Sequence, residues 1–382
     1  MAPTFSMVYG TNVWSHHQVP VATELARILG PDRFRMALFD QVDIERRNMG
    51  WGDHAEYPWV IGPPLNADAK TVIMQQCLEA DVMVFGSCPS EILQARAATN
   101  KLTLVSSERL LKKGYYHLRM LNPRYAMGFK RFRAMVNHPN VHALAIGRYA
   151  PADLRTIGAF GDRIWKWGYF VDVNPAPPGP LADRPLKLLW VGRMLDWKNV
   201  NVLLRALARI QNAPWFGECV IVGDGPERSR LLNLGRKLRL NQGRLRFLPS
   251  VPFEEIRRLM RDSDVYVLPS NCQEGWGAVA GEAMSEGCVL VANAEAGSSR
   301  ELVVDGEYGF LYQDGNIGQL AALLERLGND YPLRMKLRRQ AWERMQSLWH
   351  PRVAAERLVT ICQGLLEGAP VQTYVDGPCS RV

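Results

Sequence analysis

Long apolar stretches are missing from this sequence. No run of apolar residues approaches the roughly 18 to 20 that are needed to span a bilayer. The first ten residues, MAPTFSMVYG, contain no basic segment followed by an apolar one, which is the pattern of a secretory signal. These two absences predict a protein that stays in the cytoplasm, where it is made.

Paired cysteines are also missing. Seven cysteines are spread along the chain, and none of them stands in a CxxC pair or at a metal-ligand spacing. This pattern argues against a disulfide framework and against a zinc site, and a reducing cytosol is the simplest compartment for it. We therefore expect neither a structural metal nor a disulfide.

Acidic residues are absent from one segment of the first half. Between Arg109 and Arg133 the chain has eight basic residues and no Asp or Glu, which matches the formal net charge of +8 for the whole chain. Aromatic residues stand between these cations. The mixture predicts contact with an anionic membrane surface, where cations attract the headgroups and aromatic rings lie at the interface. A solvated loop is the second interpretation, and a nucleic-acid groove is the third.

Elsewhere the chain alternates short β-rich apolar runs with longer stretches of helical period. Its 382 residues, 47% of them apolar, are enough for two domains of ordinary size. The alternation predicts an α/β fold with two doubly wound, Rossmann-like domains, each a parallel sheet wrapped by helices. The predicted strands cover residues 5–9, 34–39, 82–85, 102–105, 142–146 and 163–167 in the first half, and 186–191, 219–222, 245–248, 265–268 and 289–292 in the second.

A proline-rich segment separates the two halves. Residues 174–185 read NPAPPGPLADRP, and these prolines exclude a helix or a central strand, so the segment is predicted to link a first domain (1–173) to a second (186–350). Residues 351–368 carry apolar side chains at helical spacing, which need a surface to cover them. Residues 369–382 have no periodicity and are predicted to be a loose tail.

The strongest candidate site follows the fourth predicted strand of the second half. Residues 269–287, PSNCQEGWGAVAGEAMSEG, lead from this strand into a helix that is predicted to begin near Gly277. Glu274 in the loop and Glu282 in the helix can bind sugar and ribose hydroxyls, and the free N–H groups of residues 277–279 form a phosphate-sized anion site. In the alternative interpretation, Glu274 caps the helix electrostatically and Glu282 is a solvated helix residue.

Two cations follow the first strand of the second half. Residues 191–199, VGRMLDWKN, place Arg193 and Lys198 between a strand end and a helix. Such a pair suits a diphosphate, because arginine binds with a planar fork and lysine acts as a point charge. The alternative is a pair of surface cations, although cations near a helix N-terminus are mildly unfavourable.

A glycine pair marks the next turn from strand to helix. In residues 222–232, VGDGPERSRLL, Gly223 and Gly225 serve either the tight turn itself or a backbone contact with a ligand. The dinucleotide fingerprint GxGxxG would place its third glycine where Arg228 stands. This departure argues against a nicotinamide enzyme, so a dehydrogenase ranks last among the functions considered.

These strings together resemble the donor-binding domain of family 4 glycosyltransferases. The family signature E-x7-E is present as Glu274 and Glu282, and VGRMLDWKN, IVGDGPERSRL, VYVLPS and AGSSRELVVDGEYGFLY match as well. In the first half, YGTNVWSHHQVP and WKWGYFVDV resemble the branch found in bacterial surface polysaccharide biosynthesis. The resemblance implies the GT-B fold, in which two domains face each other across a crevice and residues 351–368 cross back to pack on the first, acceptor-side domain.

The resemblance also implies a role for each matched residue. Arg193 and Lys198 would hold the diphosphate of a nucleotide-sugar donor. Glu282 would bind the ribose hydroxyls, and Glu274 a hydroxyl of the donor sugar. The donor would lie along Trp276, Gly277, Ala278 and Val279, close to the turn at Gly223 and Gly225.

The family implies no metal, because the cationic pair replaces the magnesium that other transferases use. The only DxD string, residues 262–264, opens a predicted strand and is interpreted as structural. His16 and His17 follow the loop after the first strand. One of them resembles the histidine at the start of the family's first helix, which approaches the reacting sugars. His17 is the preferred candidate for a catalytic role, and a structural role is its alternative.

We therefore expect a retaining glycosyltransferase that moves a hexose or deoxyhexose from a UDP- or GDP-sugar to a glycan or a lipid-linked acceptor. The segment between Arg109 and Arg133 would hold it at the inner face of the membrane, and no nucleic-acid partner is expected. Loops near residues 40–64 would recognise the acceptor. The alternatives are a sugar nucleotide epimerase of the same fold and a noncatalytic binder of sugar nucleotides or membrane surfaces.

Overall fold

Two compact units, each built around one parallel sheet, make up the computed structural model. It describes residues 3–42, 56–112, 121–240 and 243–382. The first unit combines Met1–Val171 with Leu348–Val382, and the second is Asp172–Ser347. Along the chain, the second unit is thus inserted into the first.

The first unit contains a seven-stranded sheet in the order β3-β2-β1-β4-β5-β6-β7, with every pairing parallel. Three of its central strands, β1, β4 and β6, are buried along their whole length, as expected for strands that are covered on both faces. The order reverses between β1 and β4, and such switch points are where open sheets bind ligands. The strands are β1 (Met7–Thr11), β2 (Phe34–Leu38), β3 (Val60–Ile61), β4 (Val82–Phe85), β5 (Leu102–Ser107), β6 (Val141–Ile146) and β7 (Ile164–Trp167).

Side-chain caps set the start of two helices in this unit. Asn66 accepts a hydrogen bond from the backbone N–H of Ala69 at 2.9 Å, and Asn122 accepts one from Arg124 at 3.0 Å. Both caps satisfy N–H groups that have no partner within the helix. The helices are α1 (Val19–Leu29), α2 (Ala67–Glu79), α3 (Ser90–Ala97), α4 (Pro123–Val136) and α5 (Ala150–Thr156).

The second unit contains a six-stranded sheet in the order β10-β9-β8-β11-β12-β13, again with parallel pairings, and its switch point lies between β8 and β11. The strands are β8 (Leu186–Val191), β9 (Phe216–Val222), β10 (Leu245–Leu248), β11 (Val265–Leu268), β12 (Val289–Asn293) and β13 (Gly309–Tyr312). The helices are α6 (Val200–Ile210), α7 (Arg228–Lys237), α8 (Phe253–Asp262), α9 (Val279–Ser285), α10 (Ser299–Leu302), α11 (Ile317–Asn329) and α12 (Tyr331–Ser347). The predicted fold class, two doubly wound sheets, is confirmed.

The last helix, α13 (Pro351–Glu367), returns to the first unit and packs on α1. Its apolar stripe includes Leu358 and Ile361, which are both buried. The helix ends at Gly368, which has a φ of +63° and takes the left-handed conformation typical of a C-terminal cap. The predicted crossing helix is therefore present, and α1 covers the stripe that needed a partner.

The last residues of the chain do not form a loose tail, so that prediction is wrong. Lys166 in β7 donates its N–H to Ser380 O at 2.9 Å, and its own carbonyl accepts the N–H of Cys379 at 2.8 Å. The guanidinium of Arg381 lies 3.7 Å from the ring centre of Trp165. The tail covers the edge of β7, and paired backbone groups order a segment that has no periodic pattern.

The proline-rich segment 174–185 contains no helix or strand, but it is fastened to the second unit. The carbonyl of Asn174 accepts a hydrogen bond from Trp342 Nε1 at 2.8 Å. Tyr331 donates its hydroxyl to Leu181 O at 2.6 Å. The segment therefore runs along α12 instead of hanging free.

Candidate active site

The carboxylate loop, residues 269–278, joins β11 to α9 and carries the first candidate carboxylate. β11 ends at Leu268, and α9 begins at Val279, two residues beyond the predicted start. Gly277 has a φ of +85°, a left-handed conformation that glycine adopts without steric cost. A residue in this conformation cannot be part of the helix, which explains the later start.

The loop after β12 fixes the backbone of the carboxylate loop. Gly297 donates its N–H to Glu274 O at 3.1 Å, and Ser298 donates its N–H to Trp276 O at 3.0 Å. A Cβ at Gly297 would overlap the carbonyl oxygen of Gly275. Only glycine at this position permits the close approach that holds Glu274 in place.

Glu274 and Lys198 form an ion pair between Oε2 and Nζ. Their side chains are only 13% and 16% exposed, so solvent screens this pair less than a surface pair. Lys198 ends the short 3₁₀ turn Asp196–Lys198 after β8, and Asn271 donates its N–H to Trp197 O at 3.0 Å. The structure thus brings together two site residues that were predicted from separate motifs.

The second carboxylate lies in the interior. Glu282 is 8% exposed, and its N–H is bonded to Ala278 O at 3.1 Å within α9. The alternative interpretation, a solvated helix residue, is therefore wrong. Trp276 is 1% exposed, so its indole is buried.

Three backbone N–H groups at the start of α9 have no acceptor among the residues that the structure describes. They belong to Gly277, Ala278 and Val279, and Ala278 has no side chain that could cap the helix. The first N–H groups of a helix lack partners within it, and the helix dipole adds positive potential there. This end of α9 can therefore receive an anionic group.

The cation loop, residues 192–198, follows β8 and carries both predicted cations. Arg193 is exposed, and its guanidinium makes no hydrogen bond or ion pair with any residue in the described part of the chain. Lys198, in contrast, is largely buried against Glu274. Since β8 and β11 are neighbours, the cation loop and the carboxylate loop leave the same edge of the sheet at its switch point.

Gly223 and Gly225 pack their backbone against the cation loop. Met194 donates its N–H to Asp224 O at 2.6 Å. A Cβ at Gly223 would overlap the carbonyl oxygen of Gly192, and one at Gly225 would lie 2.6 Å from Met194 O. These contacts support the structural interpretation of the glycine pair, because the two glycines allow the turn after β9 to pack closely against the cation loop and position it.

Tyr266 lies in the matched string VYVLPS, but that string did not indicate a role for its side chain. From β11, its hydroxyl donates to Val191 O at 3.0 Å, where β8 ends and the cation loop begins. Burial raises the pKa of this phenol well above 10, and the nearby charges of Glu282 and Glu274 raise it further. The hydroxyl stays protonated and ties the two strands together at the switch point. In the string VYVL it looks like any apolar strand residue.

The DxD string is held by protein contacts. Asp264 is fully buried, and its Oδ2 accepts hydrogen bonds from Arg184 Nη1 and from the N–H of Lys187, both at 2.8 Å. Arg334 Nε lies 3.5 Å from Oδ1. These contacts support the structural interpretation of this string, because Asp264 offsets the charge of the buried Arg334 and of the partly exposed Arg184.

The two histidines lie in the first unit, in the loop between β1 and α1. The N–H of His17 donates to Ser15 Oγ at 3.3 Å, and the carbonyl of His17 accepts the N–H of Phe170, also at 3.3 Å. The rings of His17 and Tyr169 are stacked with centres 5.8 Å apart, and the ring of His16 is 3.8 Å away. The chain after β7 therefore supports the loop that carries His17.

Tyr169 also extends this contact to a carboxylate that the motifs missed. Its hydroxyl donates to Glu108 Oε1 at 3.0 Å, and Glu108 Oε2 pairs with Lys112 Nζ at 2.6 Å. Glu108 follows β5, and Tyr169 follows β7. These residues and His17 form a polar row at the carboxyl ends of the first sheet.

The comparisons with known proteins agree with the donor-side motifs. Residues 177–344 match the family model "Glycosyl transferases group 1". Glycogen synthase of Mycobacterium tuberculosis is 30% identical over 173 residues, which are 44% of this chain and 41% of that protein. Phosphatidyl-myo-inositol mannosyltransferase of Mycolicibacterium smegmatis is 29% identical over 249 residues, 63% of this chain and 62% of that protein. The second half of the chain is thus similar to this family, and the chain matches less than two thirds of the length of either relative.

Solved structures show the same fold over most of the chain. HepE of Anabaena, crystallised in complex with UDP, superposes with a TM-score of 0.65 at 18% sequence identity, covering 92% of this chain and 98% of that one. At this identity the likeness concerns the fold alone, which is GT-B. No helix in the described part of the chain has both the length and the apolar character of a membrane-spanning segment.

Proposed function

We propose that this protein is a retaining glycosyltransferase that uses a nucleoside diphosphate sugar as donor. The observation that carries the proposal is the ion pair of Lys198 and Glu274, which lies between the cation loop and the carboxylate loop at the switch point of the second sheet. The match of residues 177–344 to the glycosyl transferase family model and the buried position of Glu282 support it.

The reaction needs negative charge to be stabilised on the leaving diphosphate. Arg193 and Lys198 supply fixed positive charge, and the free N–H groups at the start of α9 supply hydrogen-bond donors. Glu274 and Glu282 accept hydrogen bonds from the hydroxyls of the sugar and the ribose. No nucleophile of the protein is required for this step. We propose that the acceptor hydroxyl attacks the donor sugar on the face from which the diphosphate leaves, and that the leaving phosphate accepts the proton of this hydroxyl. We expect no metal in this reaction.

We propose UDP or GDP as the nucleotide and a glycan or lipid-linked molecule as the acceptor. Two relatives support these choices: the HepE structure contains UDP, and the mycolicibacterial enzyme is named for the lipid phosphatidyl-myo-inositol. The surroundings of His17 in the first unit suit a role in binding the acceptor. We propose that the reaction belongs to the synthesis of a cell-surface polysaccharide, which uses such donors and such acceptors.

The donor can be identified by its effect on thermal stability. Nucleotides and nucleotide sugars are tested without metal, and one of them should stabilise the protein by about 2.7 kcal/mol at one hundred times its Kd. In Arg193→Ala this stabilisation should be lost, because the exposed guanidinium then no longer pairs with the diphosphate. Arg236→Ala removes the same charge from the exposed end of α7 and should keep the full shift. Equal shifts in both variants would contradict the proposed diphosphate site.

We also propose that α4 binds an anionic membrane surface. Tyr125 and Met127 are exposed on this helix, and Val136 is its one buried residue. The helix carries four cations and no acid: Arg124, Lys130, Arg131 and Arg133. Lys113 and Arg119, two further cations of the predicted segment, lie outside the described residues.

Vesicle sedimentation tests this surface. The protein should bind vesicles with 30% anionic lipid at low salt and not neutral vesicles, because each cation near the surface contributes about 1 kcal/mol. Exchanging Lys130 and Arg131 for glutamine should weaken binding roughly 30-fold by the same principle. Exchanging Arg236 and Lys237 of α7 is the control with the same loss of charge. Equal binding to neutral vesicles would exclude an electrostatic membrane surface.

A further inference from the structure

The ladder between β8 and β11 ends before either strand does. Among the described residues, its last pair is Leu189 with Tyr266. β8 stays paired with β9 up to Val191, and β11 stays paired with β12 up to Leu268. The two central strands of the second sheet therefore separate over their last two residues. This opening lies at the switch point, where the cation loop and the carboxylate loop begin.

The hydroxyl of Tyr266 bridges this opening. It donates to Val191 O at 3.0 Å, and this carbonyl is the last one in β8. In a continued parallel ladder, a backbone N–H of the neighbouring strand would serve such a carbonyl. Tyr266 is fully buried and Val191 is 8% exposed, so water has little access to replace the bond. The side chain thus takes over where the backbone pairing has stopped.

Backbone contacts hold the cation loop on the β9 side. Gly192 donates its N–H to Val222 O at 3.0 Å. Met194 donates its N–H to Asp224 O at 2.6 Å. On the β11 side, the phenol of Tyr266 holds the carbonyl from which the loop starts. At its start, the loop is therefore held from both neighbouring strands, by backbone groups that follow β9 and by a side chain of β11.

Arg193 depends on the start of this loop more than Lys198 does. Lys198 lies at the other end, where it pairs with Glu274. Arg193 stands two residues after Val191, and its guanidinium has no hydrogen bond or ion pair in the described part of the chain. Its place is therefore decided by the backbone of the loop.

We propose that Tyr266 is a positioning residue, whose hydroxyl holds the start of the cation loop and thereby aligns Arg193 with the diphosphate of the ligand. That the ligand is a nucleoside diphosphate rests on the proposed function. The restraint on the loop does not depend on the ligand, so the two can be tested separately.

Hydrogen exchange of the full chain without ligand tests the restraint. Tyr266→Phe removes the hydroxyl and keeps the ring. Peptides that cover residues 192–198 should then exchange about tenfold faster, because the start of the loop has lost a buried hydrogen bond. Tyr312→Phe is the matched control. Tyr312 lies in β13 of the same sheet and is 1% exposed, but its hydroxyl has no hydrogen-bond partner among the residues that the structure describes. Its removal should leave the exchange of residues 192–198 unchanged.

Titration calorimetry with UDP and with GDP, without metal, tests the consequence for binding. The Kd of the nucleotide that binds should rise about tenfold in Tyr266→Phe, because Arg193 is no longer held where the diphosphate lies. It should be unchanged in Tyr312→Phe. The melting temperature of each variant is recorded as well, since a merely structural bond would lower it without altering the Kd.

The outcomes separate this inference from the proposed donor function. Unchanged exchange of residues 192–198 in Tyr266→Phe would overturn the inference. Faster exchange with an unchanged nucleotide Kd would also overturn it, because Tyr266 would then serve stability alone. Faster exchange together with a higher Kd supports it. Faster exchange with no binding of UDP or GDP to the wild type supports the restraint and contradicts the proposed donor function instead.

Discussion

Lys198→Ala should lower kcat for sugar transfer about 100- to 1,000-fold, which is the usual loss when one preorganised group that stabilises a developing anion is removed. Lys198 is held beside Glu274 with 16% of its side chain exposed, so its charge acts on the leaving diphosphate with little screening. The measured quantity is the rate of nucleoside diphosphate release. The donor is the nucleotide sugar that stabilises the wild type in the thermal stability test. Because Lys198→Ala also leaves the largely buried Glu274 without its partner, the melting temperature without ligand is measured in parallel.

Two further variants complete this test. Lys237→Ala removes the same charge from the exposed end of α7 and should leave kcat unchanged. Glu274→Gln keeps the shape of the side chain but removes the other half of the ion pair, so it should also lose turnover. If Glu274→Gln weakens donor binding and the wild type shows no measurable turnover, the protein is a noncatalytic binder. An epimerised sugar nucleotide formed without acceptor would point to an epimerase.

Gly223→Ala should have the largest effect on stability. The new Cβ would overlap the carbonyl oxygen of Gly192, and the φ of +130° at this position is unfavourable for any residue with a side chain. Strain and a forced shift of the cation loop together should cost about 3 kcal/mol or more. In a unit of this size that corresponds to a fall of roughly 6 to 12 °C in melting temperature.

Scanning calorimetry with and without the identified donor measures both consequences of this substitution. Because Gly223 positions the cation loop, the donor-induced shift should shrink together with the stability. Gly179→Ala, in the segment before β8, is the control, since no atom lies within 4 Å of its Cβ position and its φ is not positive. Wild-type stability in Gly223→Ala would mean that the backbone contact between the two loops is dispensable.

The periodicity of apolar residues and the composition of the strands were sufficient to predict most of the fold. All eleven predicted strands are present, because parallel strands buried on both faces are continuous apolar runs. The two that were missed lack this signal: β3 has only two residues, and β13 begins at Gly309. The tail was missed for another reason, since its order comes from backbone pairing with Lys166 and not from its own apolar pattern.

Site residues could be predicted where charged side chains directly follow a strand. They could not be predicted where their contacts depend on tertiary packing. Lys198 and Glu274 were predicted from separate strings, but nothing in either string indicates that they form an ion pair. Tyr266 and Tyr169 lie in the matched strings VYVLPS and WKWGYFVDV. Their hydroxyls bond to partners that are distant in sequence, so neither string indicated these contacts. Trp276 is the opposite case, because it lies in the motif and yet its indole belongs to the core.

The insertion of the second unit into the first has a consequence for synthesis on the ribosome. The second unit is one continuous stretch, Asp172–Ser347, so it can fold as soon as that stretch has emerged. The first unit must wait until α13 covers α1 and the final residues cover β7. The half of the chain that is made first is therefore completed last, and a ribosome that stops before Pro351 releases a folded second unit attached to an unfinished first one.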